Sequence, residues 1–352
     1  MGIWYATRED VQRALDSKET ARNAGQIDRG LDAGSRAAER LCHRIFYPEI
    51  ATRAFDWPNA QRAGASRLWL DGNELLSVSA ITSGGTAISP ADVLLEPAAY
   101  GPPYNRLELS LASSAAFGGG PTWQRDISIT GLWAGCPVEE TTSGTVVGAL
   151  DATQTTVAVD GPASARLGVG GLLRVDTERM TVTERAMLAT GQTLTANLDV
   201  KAASVLVTVA STAGFTAGEV VLVDGERMLI VDVAGSNLVV KRGWDGSALA
   251  AHTTGAAVYA SRSLTVRRGV LGTTAAAHSA AAPVHRWEPP ALIRTLAIGE
   301  ALSTLGQEHS AYITTVRSSE SGGERTRDLR GIAALRQQVY DAYGRMARIR
   351  GV

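Results

Sequence analysis

The feature that most restricts the fold is a stretch written twice with two different spacings. Leu167-Gly168-Val169-Gly170-Gly171-Leu172-Leu173-Arg174-Val175-Asp176-Thr177-Glu178-Arg179-Met180 matches Phe215-Thr216-Ala217-Gly218-Glu219-Val220-Val221-Leu222-Val223-Asp224-Gly225-Glu226-Arg227-Met228 at an offset of 48 residues. Arg242-Gly243-Trp244-Asp245-Gly246 through Ala251-His252 returns as Arg268-Gly269-Val270-Leu271-Gly272 through Ala277-His278, but at an offset of 26. A tandem repeat keeps one offset. Two offsets imply nesting: an inner copy, about Lys201 to Ala260, sits inside a loop of an outer copy made of Thr153–Leu198 joined to Ser263–His285. Each copy reads as strand, Gly turn, hairpin through Asp-Gly or Asp-Thr, strand, and a Gly-rich turn ending in Ala-His. A copy of about sixty residues is near the lower limit for an independent core, so the two are expected to pack together.

The region holding the repeat, 143–287, is rich in Val, Thr, Ala and Gly and is expected to be all β. The flanks read differently. Thr7-Arg8-Glu9-Asp10 is a capping-box pattern opening a short helix through Val11, Ala14 and Leu15. Ile27, Leu31, Gly34, Ala38, Leu41 and Ile45 recur at spacings of three and four, and Pro48 stops the helix they imply. Gly30 and Gly34 in that stripe weaken the helix but let another helix approach closely. Between about Trp57 and Trp133 no helix is evident. Leu68 and Leu70 before Asp71-Gly72, then Leu107, Leu109 and Leu111, then Ile127, Ile129 and Leu132, predict short strands of a small sheet beside the helices. From Pro289-Pro290 the chain returns to helix. Leu292, Leu296, Gly299, Leu302 and Leu305 form one stripe with Gly306 as C-cap. Leu329, Ile332, Leu335, Val339, Met346 and Ile349 form another. The expected fold class is α+β: a helical core with a small β-sheet, built from 1–142 and 288–352, plus an all-β insertion of two nested copies at 143–287.

Composition excludes several function classes. The chain has 352 residues and a net charge of −1, which argues against wrapping nucleic acid by bulk charge. No apolar run approaches a membrane span, and Met1-Gly2-Ile3-Trp4-Tyr5 does not read as a signal peptide. Cys42 and Cys136 make no framework; a buried free thiol at Cys42 and synthesis in a reducing cytoplasm are the expectations. There is no G-x-S-x-G, P-loop or H-E-x-x-H. Gly168-Val169-Gly170-Gly171 is followed by strand residues, so it fails as a dinucleotide loop. Among the histidines, His252 and His278 hold equivalent positions and read as structural residues after a turn. Asp176/Glu178 and Asp224/Glu226 read as solvated turn acids rather than as a catalytic or Ca²⁺ pair. No enzyme activity, cofactor or metal is expected.

A resemblance adds to this. Thr7-Arg8-Glu9-Asp10-Val11 near the start, Leu31–Phe46 ending Glu39-Arg40-Leu41-Cys42-His43-Arg44-Ile45-Phe46-Tyr47-Pro48, Arg67-Leu68-Trp69-Leu70, Ile127-Ser128-Ile129-Thr130-Gly131-Leu132-Trp133, Pro290 to Leu305 and the arginine-rich terminal helix resemble the head–tail connector (adaptor) proteins of siphophages. The resemblance covers about half the chain, 1–135 and 288–352; the β insertion departs from a minimal family member. It implies a structural virion protein of the phage neck, made in the host cytoplasm. Such subunits form a homo-oligomeric, typically dodecameric ring below the portal protein. The ring extends the channel for transient double-stranded DNA and meets the next neck or tail-completion protein, and here it would also reach the capsid. The terminal helix would dock on the portal, with Arg327, Arg330, Arg345, Arg348 and Arg350 at the portal or subunit interface. The alternative is a β-module virion protein binding a host glycan or another ligand, for which Trp244 and Tyr259 are the insertion's main aromatics.

Overall fold

A computed structural model describes residues 2–15, 24–58, 64–309, 315–317, 324–326 and 330–345. The expected α+β arrangement is not what forms. The described residues are mostly β, in antiparallel sheets of four, three and ten strands with a separate two-stranded pair, and they hold five α-helices. The chain divides into two compact units, 44–139 with 271–273, and 1–43 with 140–270 and 274–352.

The stretch expected as a small sheet is a unit with a core of its own. β1 (Glu49–Phe55), β7 (Ile127–Trp133), β3 (Leu75–Ser83) and β4 (Thr86–Ile88) form one sheet in that order. β2 (Arg67–Trp69), β6 (Arg106–Leu109) and β5 (Val93–Glu96) form the other. Period-two alternation sends Phe55, Leu75, Ile81, Ile127, Ile129 and Trp133 of the first, and Leu68, Val93, Leu107 and Leu109 of the second, into one buried cluster. The alternating leucines and isoleucines therefore face each other instead of covering helices, which is why a helical core with an accessory sheet is the wrong description.

In the other unit four of the helices come from the two ends of the chain, and the short α3 (Gly161–Arg166) lies within the β region. In α1 (Arg8–Leu15) the capping box is reciprocal: the Asp10 N–H donates to Thr7 Oγ1 at 3.2 Å, and the Thr7 N–H donates to Asp10 Oδ2 at 3.0 Å. α2 (Ala24–Cys42) packs on α4 (Ala291–His309). At Gly34 an added Cβ would lie 2.8 Å from Ala297 O, so only glycine lets the two backbones approach this closely. α4 buries Ile293, Leu296, Ala297, Ala301 and Leu305 and continues through Gly306, the expected C-cap. α5 (Arg330–Tyr343) packs through Val339, with Ile332 and Leu335 over Gly299. Leu329, Met346 and Ile349 of its expected stripe lie outside the described residues. No helix among the described residues is long and apolar enough to cross a membrane.

The ten-stranded sheet gives the two offsets their physical basis. The outer copy is β8 (Glu139–Thr145), β9 (Thr156–Ala158), β10 (Leu172–Val175), the first part of β11 (Glu178–Thr193), the second part of β16 (Ala257–Arg267) and β17 (Pro283–Glu288). The inner copy is the second part of β11, β12 (Leu206–Thr208), β13 (Val220–Val223), β14 (Glu226–Ala234), β15 (Asn237–Lys241) and the first part of β16. In the inner copy Ala234 pairs with Asn237 across a Gly235-Ser236 turn; in the outer copy the equivalent pair is Ala186 and Ser263. The whole inner copy thus replaces a two-residue hairpin turn. Even the bulge recurs, between Ile230 and Asp232 and between Val182 and Glu184. The copy boundaries lie earlier than Thr153 and Lys201. Leu150 bridges to His278 and Leu198 to His252, so Leu198 belongs to the inner copy.

The chain's start docks on the outer copy. The Arg8 N–H donates to Val169 O at 3.0 Å and the Val169 N–H to Glu9 Oε2 at 2.8 Å. Trp4 lies where a Cβ on Gly170 (φ 86°) would stand. The glycine-rich turn that fails as a nucleotide loop is thus a seat for the chain's own tryptophan.

If the insertion point is a hairpin tip, replacing Met187–Arg262 with Gly-Ser should reclose the outer copy. The shortened chain is expected to keep a β-type circular dichroism spectrum and one cooperative melt; a spectrum of unfolded chain would refute the assignment.

Candidate functional site

Each copy contains the same buried ionic cluster. Glu226 opens β14 directly after the Asp224-Gly225 turn, and Glu178 opens β11 after Asp176-Thr177. Both aspartates take a left-handed φ, 49° and 50°, which aims the next strand's first side chain inward. Glu226 and Glu178 are wholly buried. Arg242 donates from Nε and Nη2 to Glu226 at 2.7 and 2.6 Å; Arg268 does the same to Glu178 at 2.7 and 2.7 Å. Each guanidinium also donates to backbone carbonyls: Asp199, Ser204 and Ala250 for Arg242, and Asp151, Gln154 and Ala276 for Arg268. The Arg242 and Arg268 donors thereby all find acceptors. The carboxylates also accept N–H bonds from Gly243 and Ala250, and from Gly269 and Ala276.

The histidine completes the cluster. His252 places Nε2 3.0 Å from Glu226 Oε2 and Nδ1 2.7 Å from Asp224 Oδ2; His278 repeats this with Glu178 at 2.9 Å and Asp176 at 2.7 Å. Both ring nitrogens face carboxylate oxygens, so both contacts are hydrogen bonds only in the doubly protonated ring. Burial opposes charge on Glu178 and Glu226, but the arginine, histidine and backbone donors outweigh it and hold both carboxyls at about 2.

Two expectations change here. Asp176 and Asp224 are exposed turn acids as expected, but Glu178 and Glu226 are not solvated. His252 and His278, which have no carboxylate close by in sequence, each have two in space. A signal was present: Asp, Glu, Arg and His recur together in both copies at the offsets of the repeat, so the charged residues are copied as a set. Chemically the cluster is closed. The histidine lies between two acids with no hydroxyl or thiol nucleophile in its hydrogen bonds, and its ring is buried. Its effect is to tie the Asp turn, the Arg-Gly turn and the Ala-His strand of each copy into one piece. Among the described residues no group of three or more His, Cys, Asp or Glu stands in a metal-holding arrangement.

Of the arginines expected at an interface, Arg327, Arg348 and Arg350 lie outside the described residues. Arg330 opens α5, and Arg345 follows its end, where its N–H donates to Cys42 O at 3.0 Å. Trp244 is buried with the Lys241 ammonium 5.5 Å from its ring centroid, while Tyr259 stays partly exposed. Cys42 and Cys136 are both buried and neither is in a disulfide, and burial, the largest cause, pushes the Cys136 thiol up to about 12.

Compared with protein-family models, with curated proteins and with solved structures, the chain has no match in any of the three.

Removing one partner of a buried, saturated ion pair leaves the other charge stranded. Glu226→Gln and Glu178→Gln are each expected to cost about 3–5 kcal/mol in urea unfolding. Asp224→Asn, at an exposed site, should cost about 1 kcal/mol or less. A Glu226→Gln midpoint matching that of the unchanged protein would remove the cluster's structural role. The pH dependence has a definite sign. Both glutamates sit below their ordinary 4.5, so the unfolded chain takes up their protons first. Their contribution is complete above about pH 4.5 and is lost as pH falls toward about 2. Urea midpoints measured from pH 6 to pH 2 should fall through that window, and less steeply in the Gln variants.

Proposed function

We propose that this chain is a structural, non-enzymatic virion subunit that forms a homo-oligomeric head–tail connector ring below the portal of a tailed phage. The observation that carries the reading is the meeting of the chain's two ends. α2 and α4 close on each other through Gly34 and Ala297, and α5 covers α4 at Gly299, so N-terminal and C-terminal helices make one bundle. α5 is held by Val339, Ile332 and Leu335 and by the Arg336–Glu300 pair, and leaves most of its circumference exposed or half-exposed, a surface on which another protein can seat.

The polar chemistry also favours scaffolding. The acids and histidines that an enzyme would direct at a substrate are spent on one another in each β copy. A glycan platform needs several aromatic rings at the surface, and in the insertion Trp244 is buried, which leaves Tyr259 as a lone exposed ring. In this reading the subunit's partners are further copies of itself, the portal, the next neck protein and the capsid. DNA passes through the ring without being bound tightly, in keeping with the chain's near-neutral charge.

Mass photometry of the purified protein, alone and mixed with the portal protein of the same phage, followed by electron-microscopic class averages, tests this. A ring stacked coaxially on the portal is expected. A monomer or trimer that ignores the portal would overturn the reading and return attention to ligand binding by the β modules.

A further inference from the structure

Six of the chain's seven tryptophans are buried or half-buried; Trp123 is 57 % exposed. It does not sit on a slack loop. The Trp57 N–H donates to Trp123 O at 2.8 Å, and the Arg125 N–H to Asp56 Oδ1 at 2.8 Å. Asp126 accepts from the Gly120 N–H at 2.9 Å and from Ser83 Oγ at 2.7 Å, while Ser83 Oγ accepts from the Gly118 N–H at 2.8 Å. Phe117, just before the loop, packs on Trp57 with ring centroids 4.8 Å apart. The indole is thus presented to solvent on backbone fixed from both sides, so ordering it on contact costs little entropy. That is the character of an interface anchor.

The unit that holds the helices carries a cleft of about 220 Å³ beside α1. It is smaller than the roughly 300–1,000 Å³ of a typical metabolite site, and nearer the size of one aromatic side chain. Val220 and Leu229, directly paired across β13 and β14, line it with Met187 and with the edge of Trp244. Its cations are fixed in place. Arg13 donates to the carbonyls of Ala165 and Gly218, both at 3.1 Å, and Arg227 is held by Asp245 at 2.5 Å. Glu9, Gln12 and Asp245 line it too, so the cleft is as polar as it is apolar, and its anchored guanidinium groups beside the apolar side chains can receive an aromatic face.

We propose that Trp123 of one copy enters this cleft on a second copy and stacks against Arg13 and Arg227 over Val220, Leu229 and Met187. Knob and hole are different surfaces of one chain, so the contact is head-to-tail, the kind that generates a closed ring when the rotation per subunit permits. Closure of the ring rests on the connector reading; the contact itself requires only self-association.

Two single-cysteine variants test it, Gln124→Cys beside the intact indole and Ala14→Cys beside the intact Arg13. The native Cys42 and Cys136 are buried. With a short bismaleimide, cross-linked dimers are expected when the two variants are mixed, not when either is alone, and they should disappear when Trp123→Ala is added. Trp123→Ala in the otherwise native chain should keep the native melt, since the side chain is exposed, and weaken assembly about tenfold or more by mass photometry. Oligomers that form without the mixed cross-link, or a cross-link that survives Trp123→Ala, would overturn the contact and leave the ring standing. A chain that stays monomeric alone and with the portal would overturn both.

Discussion

Everything in the β region depends on burying a carboxylate without leaving it short of partners. Glu178 and Glu226 sit where a hydrophobic core would tolerate no free charge, and an unpaired carboxylate there would cost several kcal/mol. Each copy solves this in the same way. An arginine from a distant turn supplies two parallel donors, two backbone N–H groups come from the following loop, and a histidine closes the last side. The loops of each copy bury one apolar side chain at the equivalent position, Trp244 or Val270, and the ionic cluster fixes the rest of their path. The recurrence of left-handed φ at Gly243, Asp245 and Gly246 and at Gly269, Leu271 and Gly272 follows from that shared demand.

Beyond the copies, α1 is the joint. In eight residues it contributes Arg8 to Asp28 of α2, Glu9 to the outer copy and to Arg185, Asp10 to Arg294 of α4, and Gln12 to Asp245 of the inner copy. The two equivalent Arg-Gly-x-x-Gly turns have diverged in use. The inner one meets α1 through Asp245, and the outer one supplies 271–273 to the other unit, where the Ile50 N–H donates to Leu271 O.

Much of this was legible in the sequence, and the rest was hidden for definable reasons. The Thr7/Asp10 box, the helix-contact role of Gly30 and Gly34, and the doubling of the β motif are local or periodic, so spacing alone exposes them. The burial of Glu178 was hidden because its partners Arg268 and His278 lie 90 and 100 residues away, beyond the inserted copy. A glutamate after a hairpin turn looks the same in sequence whether water or an arginine satisfies it. The strands of 44–139 were legible from their alternating leucines and isoleucines, but that their inner faces meet each other in an independent core was hidden, because alternation shows which face is buried and not what covers it. The amphipathic helices at the two ends gave the stronger signal and drew the fold class toward them.

The inner copy hangs from Ala186 and Ser263, opposite residues of one strand pair. The ladder of β11 and β16 does not stop at that pair but runs on through Leu188 and Ala260 to Thr193 and Ala257. A load applied to the inner copy is therefore shared by this continuous ladder, by Arg262 on Glu219, and by Gln12 and Arg13 of α1 on Asp245 and Gly218. The insertion is in this sense a splice and not an appendage: force on it passes into the outer copy and α1 together.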